Sequence, residues 1–238
     1  MKYLGSKNRI AKDILPIILK KRTEGQYYVE PFVGGANIID KVNGNRVAGE
    51  FNEYIAKMWI ALEKGWIPEN NYSKDDYNHV KEYKDVQPHL TGYIGINCSY
   101  SGKWLGGFAG VVNTKGGIRD YQKEAFKNVM EQVPKIKGVQ FYHSSYENLP
   151  IPDNSIIFCD PPYENTTGYK DKFDHNKFWD WCRKMSKYGH QVFISEYNAP
   201  EDFECIWQKD FKSSLSANGE IGGNKISTEK LFKYNICK

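Results

Sequence analysis

Between Tyr27 and Leu62 the chain reads as strand, glycine turn, helix, strand ending in an acid, and amphipathic helix. Tyr27-Tyr28-Val29-Glu30-Pro31-Phe32 is rich in β-formers and runs into Val33-Gly34-Gly35-Ala36. Residues 37–42 read as helix and residues 46–51 as a second strand. Asn52 is a natural cap for the helix that follows, which carries Ile55, Met58, Trp59 and Leu62 on one face. Parallel strands need such crossovers, so this order opens a doubly wound α/β sheet.

The rhythm then breaks and resumes. Residues 66–135 hold polar helices and a Gly/aromatic loop, Asn97-Cys98-Ser99-Tyr100-Ser101-Gly102-Lys103-Trp104-Leu105-Gly106-Gly107-Phe108. Strands return at 139–143, 155–160 and 191–195, with a helix expected over 174–187. From Ile206 onward the pattern predicts strands around a Gly-rich turn, Asn218-Gly219 and Gly222-Gly223, closing with residues 231–236. Upstream, residues 8–22 have helical spacing, with Pro16 as a kink or break. The expected organisation is one α/β domain, residues 1–65 and 136–238, with an inserted, mainly helical lobe at 66–135.

A chain of 238 residues is long enough for that plan. No apolar run approaches the roughly 18–20 residues needed to cross a bilayer, so no membrane is expected. The five cysteines, Cys98, Cys159, Cys182, Cys205 and Cys237, show no CxxC pair, which favours a reducing cytoplasm and argues against a zinc site. Residues 1–24 hold seven basic side chains against two acids, within a net charge of +4. A polyanion partner fits that bias, as does a plain solvated helix face.

The sharpest chemical signal is Asp160-Pro161-Pro162-Tyr163. It follows an apolar strand, at the carboxyl edge where this architecture binds ligands. Two prolines stiffen the backbone and remove its N–H donors. A carboxylate, a carbonyl and a tyrosine face can then converge on a planar amine. Gly34 and Gly35 let a ligand approach the first turn closely. With neither GxGxxG nor GxxxxGK[ST] present, a nucleoside fits better there than a pyrophosphate ligand, and a dehydrogenase is disfavoured. Glu50, about 20 residues on, is placed to accept from ribose hydroxyls.

Together, strand-Asp160-Pro161-Pro162-Tyr163 late in the chain and Glu30-Pro31-Phe32-Val33-Gly34-Gly35 early resemble the Dam-type DNA adenine N6-methyltransferases. Tyr3-Leu4-Gly5-Ser6-Lys7 is similar to their N-terminal motif, and Ser101-Gly102-Lys103-Trp104-Leu105-Gly106-Gly107 to a loop in their insertion. The resemblance implies an S-adenosylmethionine-dependent methyltransferase (Rossmann-like) fold. It implies transfer of a methyl group from S-adenosylmethionine to N6 of a flipped-out adenine in double-stranded DNA. Tyr3, Lys7, Gly34, Glu50 and Asp160 are then the cofactor contacts, and Asp160, Pro161 and Tyr163 the catalytic ones. Ser6 and Ala36 stand where many members have glycine, and Glu50 is one methylene longer than the usual Asp.

Further expectations follow from that chemistry. The sulfonium is already activated, so no metal and no cysteine nucleophile is required. Tyr163 would stack on the flipped base, with Tyr169 and Phe173 near the pocket. Tyr146 suits either the cofactor adenine or the core. In the insertion, Lys103 and Arg119 are the expected DNA contacts, with Lys115 and Lys123 beside them, among Tyr100, Trp104, Phe108 and Tyr121. A monomer is expected. The competing readings are an amino-methyltransferase acting on RNA, protein glutamine or cytosine N4, where Asn or Ser usually replaces the aspartate, and a catalytically silent DNA-binding protein of the same fold.

Overall fold

The strands assemble into one mainly parallel seven-stranded sheet in the computed structural model, which describes residues 1–114, 116–164, 173–212 and 226–235. Five of its strands are parallel to one another. They are β1 (Tyr28–Glu30), β2 (Arg46–Glu50), β5 (Val139–His143), β6 (Ile156–Cys159) and β7 (Gln191–Glu196). The antiparallel pair β8 (Phe203–Lys212) and β9 (Ile226–Tyr234) completes the order β5-β2-β1-β6-β7-β9-β8. The remaining strands, β3 (Val111–Thr114) and β4 (Gly117–Asp120), form a separate exposed hairpin. The order reverses direction between β1 and β6, so the crevice for a ligand opens above their carboxyl ends.

Period-two alternation explains the layers. Tyr28, Ile156 and Phe158 join a core that takes in α1 (Ala11–Ile18) and α2 (Glu53–Glu63). Val29, Ile157 and Cys159 face the other way, onto Phe178, Trp179 and Cys182 of α6 (His175–Lys187). Asn52 caps α2 as its residue type suggests, its side chain accepting from the Tyr54 and Ile55 N–H groups.

The segment between β2 and β5 carries α3 (Lys74–Glu82), α4 (Pro88–Asn97), the β3–β4 hairpin and α5 (Tyr121–Gln132). Helix α4 is buried along Thr91–Asn97 and shares the α1/α2 core through Tyr93, Ile94 and Ile96. The contact with α2 is close, since a Cβ at Gly92 would lie 2.0 Å from the Tyr54 carbonyl oxygen.

Two local expectations change. Residues 37–42 form only a 3-10 turn at Ile39–Lys41, not a helix. Six residues between tight turns are too few to propagate an α-helix, and Gln132 Nε2 takes the Gly35 and Ala36 carbonyls at 3.1 and 3.0 Å. Pro16 sits inside α1, which ends at Ile18, and the preceding residues Lys7–Arg9 form a separate 3-10 turn. Ala36 adopts φ +52, the left-handed region, where a glycine would sit without strain. The Gly-rich turn at Asn218-Gly219 and Gly222-Gly223, Tyr169 and Lys115 lie outside the described residues.

Candidate active site

Four strand ends meet at the crevice. Asp160-Pro161-Pro162-Tyr163 leaves β6, Pro31-Phe32-Val33-Gly34 leaves β1, Glu50 ends β2 and Glu196 ends β7. The N-terminal segment crosses above them and is pinned at several points. The Met1 ammonium donates to Gln132 Oε1 (2.6 Å) and Asn37 Oδ1 (3.2 Å). Leu4 N–H donates to the Gly102 carbonyl at 3.2 Å. The Tyr3 ring lies so close to the first turn that a Cβ at Gly34 would sit 2.8 Å from Tyr3 Cε1.

This strap delivers Lys7 to Asp160. The Lys7 Nζ is 3.3 Å from Asp160 Oδ1 and 3.4 Å from Glu229 Oε2, and its side chain is only 8% exposed. It also lies 4.2 Å from the centroid of the Tyr163 ring. The Tyr163 hydroxyl reaches Ser195 Oγ at 2.7 Å and Glu229 Oε2 at 3.0 Å, while Tyr197 meets its ring edge to face. Glu196 accepts from the Glu164 and Tyr197 N–H groups, which fixes the backbone just past the proline pair.

Burial sets the titration behaviour first, and neighbouring acids add to it. Asp160 keeps 24% of its side-chain surface accessible. Even so, desolvation pushes its pKa up to about 6, Lys7 pulls it down, and Glu229 and Glu196 push it up. Burial works against the Lys7 ammonium, but Asp160 and Glu229 outweigh it and hold its pKa above the ordinary value. Glu30, buried behind the site with the Tyr28 hydroxyl donating to it at 2.9 Å, has its pKa pushed well up by desolvation.

On the other side of Gly34 lies a second group. Glu50 Oε2 accepts from Gly34 N–H at 3.0 Å and Oε1 from Asn52 N–H at 2.9 Å. Burial lifts the Glu50 pKa to about 7 against the pull of those backbone donors. Phe51, the next residue, is 69% exposed.

Comparison with known proteins bears on this arrangement directly. The family model for D12 class N6 adenine-specific DNA methyltransferases matches residues 3–218. The chain belongs to that family. It is also similar to the type II methyltransferase M.FokI of Planomicrobium okeanokoites, 26% identical over an alignment of 207 residues that covers 77% of this chain and 31% of that protein. The chain thus spans about a third of the length of that curated relative.

Members of this D12 family use S-adenosylmethionine, and the donor set here fits it. Two backbone N–H groups take two of the roughly four acceptor positions of the Glu50 carboxylate, leaving acceptors for a ribose diol. The Phe51 ring offers a flat apolar face beside it. Gly34, at φ +45, leaves bare backbone between Glu50 and the Lys7–Asp160 pair.

The structure brings Tyr3, Lys7, Gly34, Glu50, Asp160 and Tyr163 around one crevice. Lys103 and Arg119 sit elsewhere, both exposed on the inserted segment. Arg119 is held in a two-point pair with Glu124 at 2.6 and 2.8 Å, over the Tyr121 ring, which Lys2 also faces. Trp104 stacks on Tyr54 of α2 and Phe108 packs on Tyr77 of α3, so the first ties the segment to α2 and the second packs within it. Tyr100, by contrast, is half exposed. Tyr146 is a core residue, stacked on Phe32 and packed with Phe173, Phe178 and Trp181. Phe173 belongs to the same aromatic cluster.

Four residues of the crevice escaped the sequence reading. Phe51 had a readable signal, an aromatic directly after a strand-end acid. Ser195 and Glu196 end a strand beside β6 and were legible as strand-end polar groups. Glu229 had none, since it lies in an ordinary polar run, Ser227–Lys230, and the strand β7 that it meets at the crevice is over 30 residues away.

Proposed function

We propose that this protein transfers a methyl group from S-adenosylmethionine to N6 of a specific adenine in double-stranded DNA. The observation that carries the reading is the convergence of the Asp160 carboxylate and the Tyr163 ring on one amine, Lys7 Nζ, at 3.3 Å and 4.2 Å. A point that holds N–H donors against a carboxylate and an aromatic face suits the amino group of a flipped base.

Adenine N6 is a weak nucleophile because its lone pair is delocalised into the ring. Asp160 and the Pro161 carbonyl would accept its two hydrogens and favour the lone pair's localisation. With its pKa near 6, Asp160 is mostly ionised at neutral pH and so able to accept. Tyr163 stacks on the base, offsetting part of the few kcal/mol that unstacking costs. Bound S-adenosylmethionine would supply an activated methyl group, its sulfur leaving as a neutral thioether, and the methylated amine would then release one of its two hydrogens as a proton. Tyr3, Lys7, Gly34 and Glu50 would hold it, with the exposed Phe51 ring available to its base. The protein then contributes position and field rather than covalent chemistry.

The segment 66–135, with Lys103 and Arg119, is the proposed DNA-reading part. Lys2 and Tyr121 extend its basic, aromatic surface. Among the described residues no helix is long and apolar enough to cross a membrane, and no cluster of acids, histidines and cysteines is placed for a metal. A cytoplasmic place is part of the proposal, and the likeness to a type II methyltransferase supports a restriction-modification setting. Tritiated S-adenosylmethionine with mixed-sequence DNA, and with RNA in a parallel reaction, followed by nucleoside analysis, tests the reading. Label in N6-methyladenine supports it, and label in N4-methylcytosine or in RNA alone overturns it.

A further inference from the structure

We propose that Glu229 is a positioning residue for methyl transfer, holding the Lys7 ammonium and the Tyr163 hydroxyl on one carboxylate so that Asp160 stays available to the target amine. The proposal rests on the reading of Asp160 and Tyr163 as the transfer site.

Glu229 reaches the site from an unexpected quarter. Strand β9 runs antiparallel beside β7, with Ser195 opposite Leu231 and Glu196 opposite Lys230. That register carries the side chain of Glu229 to the carboxyl edge, where it is 13% exposed. A single oxygen, Oε2, lies 3.0 Å from the Tyr163 hydroxyl and 3.4 Å from Lys7 Nζ.

The chemistry of these groups sets the direction of the chain. A carboxylate only accepts, so the Tyr163 hydroxyl donates to Glu229. The hydroxyl has one hydrogen, so Ser195 Oγ donates to it in turn across 2.7 Å. The ring is therefore tied at its far end from two strands, β7 and β9, and braced by Tyr197. A stacking face fixed in this way needs no reorganisation when the base arrives.

Lys7 supplies the second half. Asp160 has two claimants, the Lys7 ammonium and the incoming amine. Glu229 offers Lys7 another acceptor at nearly the same distance, so the ammonium stays near the site when Asp160 turns to the base. Without that acceptor Lys7 would close on Asp160 and compete with the substrate.

The test is single-turnover methylation by Glu229→Gln across pH, beside Asp160→Ala. The titratable groups facing Asp160 are Lys7 from the strap, Glu229 from β9 and Glu196 from β7, with Glu30 of β1, whose pKa burial raises, behind them. Neutralising Glu229 removes a repulsion and tightens the Lys7 pair, so the acid limb of the rate moves to lower pH. The expected result is a rate about 10-fold or more below wild type, a limb moved downward and DNA affinity within about threefold. A rate within twofold of wild type overturns the proposal. So does a slower rate with an unmoved limb, which marks a merely structural residue. If Glu229→Gln does not fold, Tyr163→Phe deletes only the hydroxyl and should slow transfer by about tenfold with normal DNA binding; an unchanged rate overturns the proposal. An active Asp160→Ala would instead sink the underlying site assignment, which keeps the two failures apart.

Discussion

Replacing Glu50 by glutamine should flatten the pH dependence of folding while weakening the cofactor. Burial lifts the Glu50 pKa from its ordinary 4.5 to about 7. The folded protein thus binds a proton that the unfolded chain has released across that window. A raised carboxyl pKa means stability is greatest below 4.5 and is lost as pH rises to 7. The size of that loss is on the order of 3 kcal/mol. Glutamine cannot ionise, so the variant should lack this part of the slope. Its absolute stability is a poorer indicator. The carboxylate accepts from both Gly34 and Asn52, and a glutamine Nε2 can accept from neither, leaving one N–H unsatisfied at about 1–3 kcal/mol. Urea denaturation at several pH values from 4.5 to 8 reads the slope. Calorimetry with S-adenosylmethionine should show affinity reduced about 10- to 100-fold. A variant with the wild-type slope and wild-type affinity would refute both the burial argument and the ribose assignment.

Lys7→Ala removes the cation between two acids, so Asp160 should titrate higher. Its acid limb of activity should move to higher pH, and calorimetric cofactor affinity should fall about 10- to 100-fold. Gly34→Ala forces a side chain into φ +45 and against Tyr3, so it should lower the melting temperature by an amount equivalent to about 1–3 kcal/mol and weaken cofactor binding. Neutralising Lys103 and Arg119 together should weaken DNA binding and reduce the slope of log affinity against log salt by about 1–2, with cofactor affinity unchanged. Filter binding at several salt concentrations checks this, and an unchanged slope would remove the two residues from the DNA face.

Local patterns made the sheet and half of the site readable. Strand-end positions are set by short-range signals, an apolar run followed by glycine or proline, so Gly34, Glu50 and Asp160 could be placed before any coordinates. The N-terminal strap was legible only as a resemblance. Its position depends on long-range bonds from Met1 to Gln132 and from Leu4 to Gly102. Glu229 was hidden for the same reason, since an antiparallel register between β7 and β9 is not encoded within a few residues of either strand. The short stretch after Ala36 reads as helix by residue type, but the side chains of Gln132 and Asn37 claim its backbone partners and the strap. In the insertion, aromatic residues look alike in sequence. Packing alone separates Trp104 and Phe108, which pack on Tyr54 and Tyr77, from Tyr100, which is half exposed, and Tyr121, whose ring Lys2 and Arg119 cover.

Quantitative nucleoside analysis of DNA methylated by wild type and by Asp160→Ala, with DNA affinity measured in parallel, tests the central claim most directly. Phosphate contacts supply most of the affinity for DNA, whereas Asp160 acts on the reacting amine, so the two properties should separate. The account predicts N6-methyladenine as the product of the wild type, none above background from Asp160→Ala, and DNA affinities within about threefold of each other. Near-normal turnover by Asp160→Ala, or methylated cytosine as the main wild-type product, would contradict it.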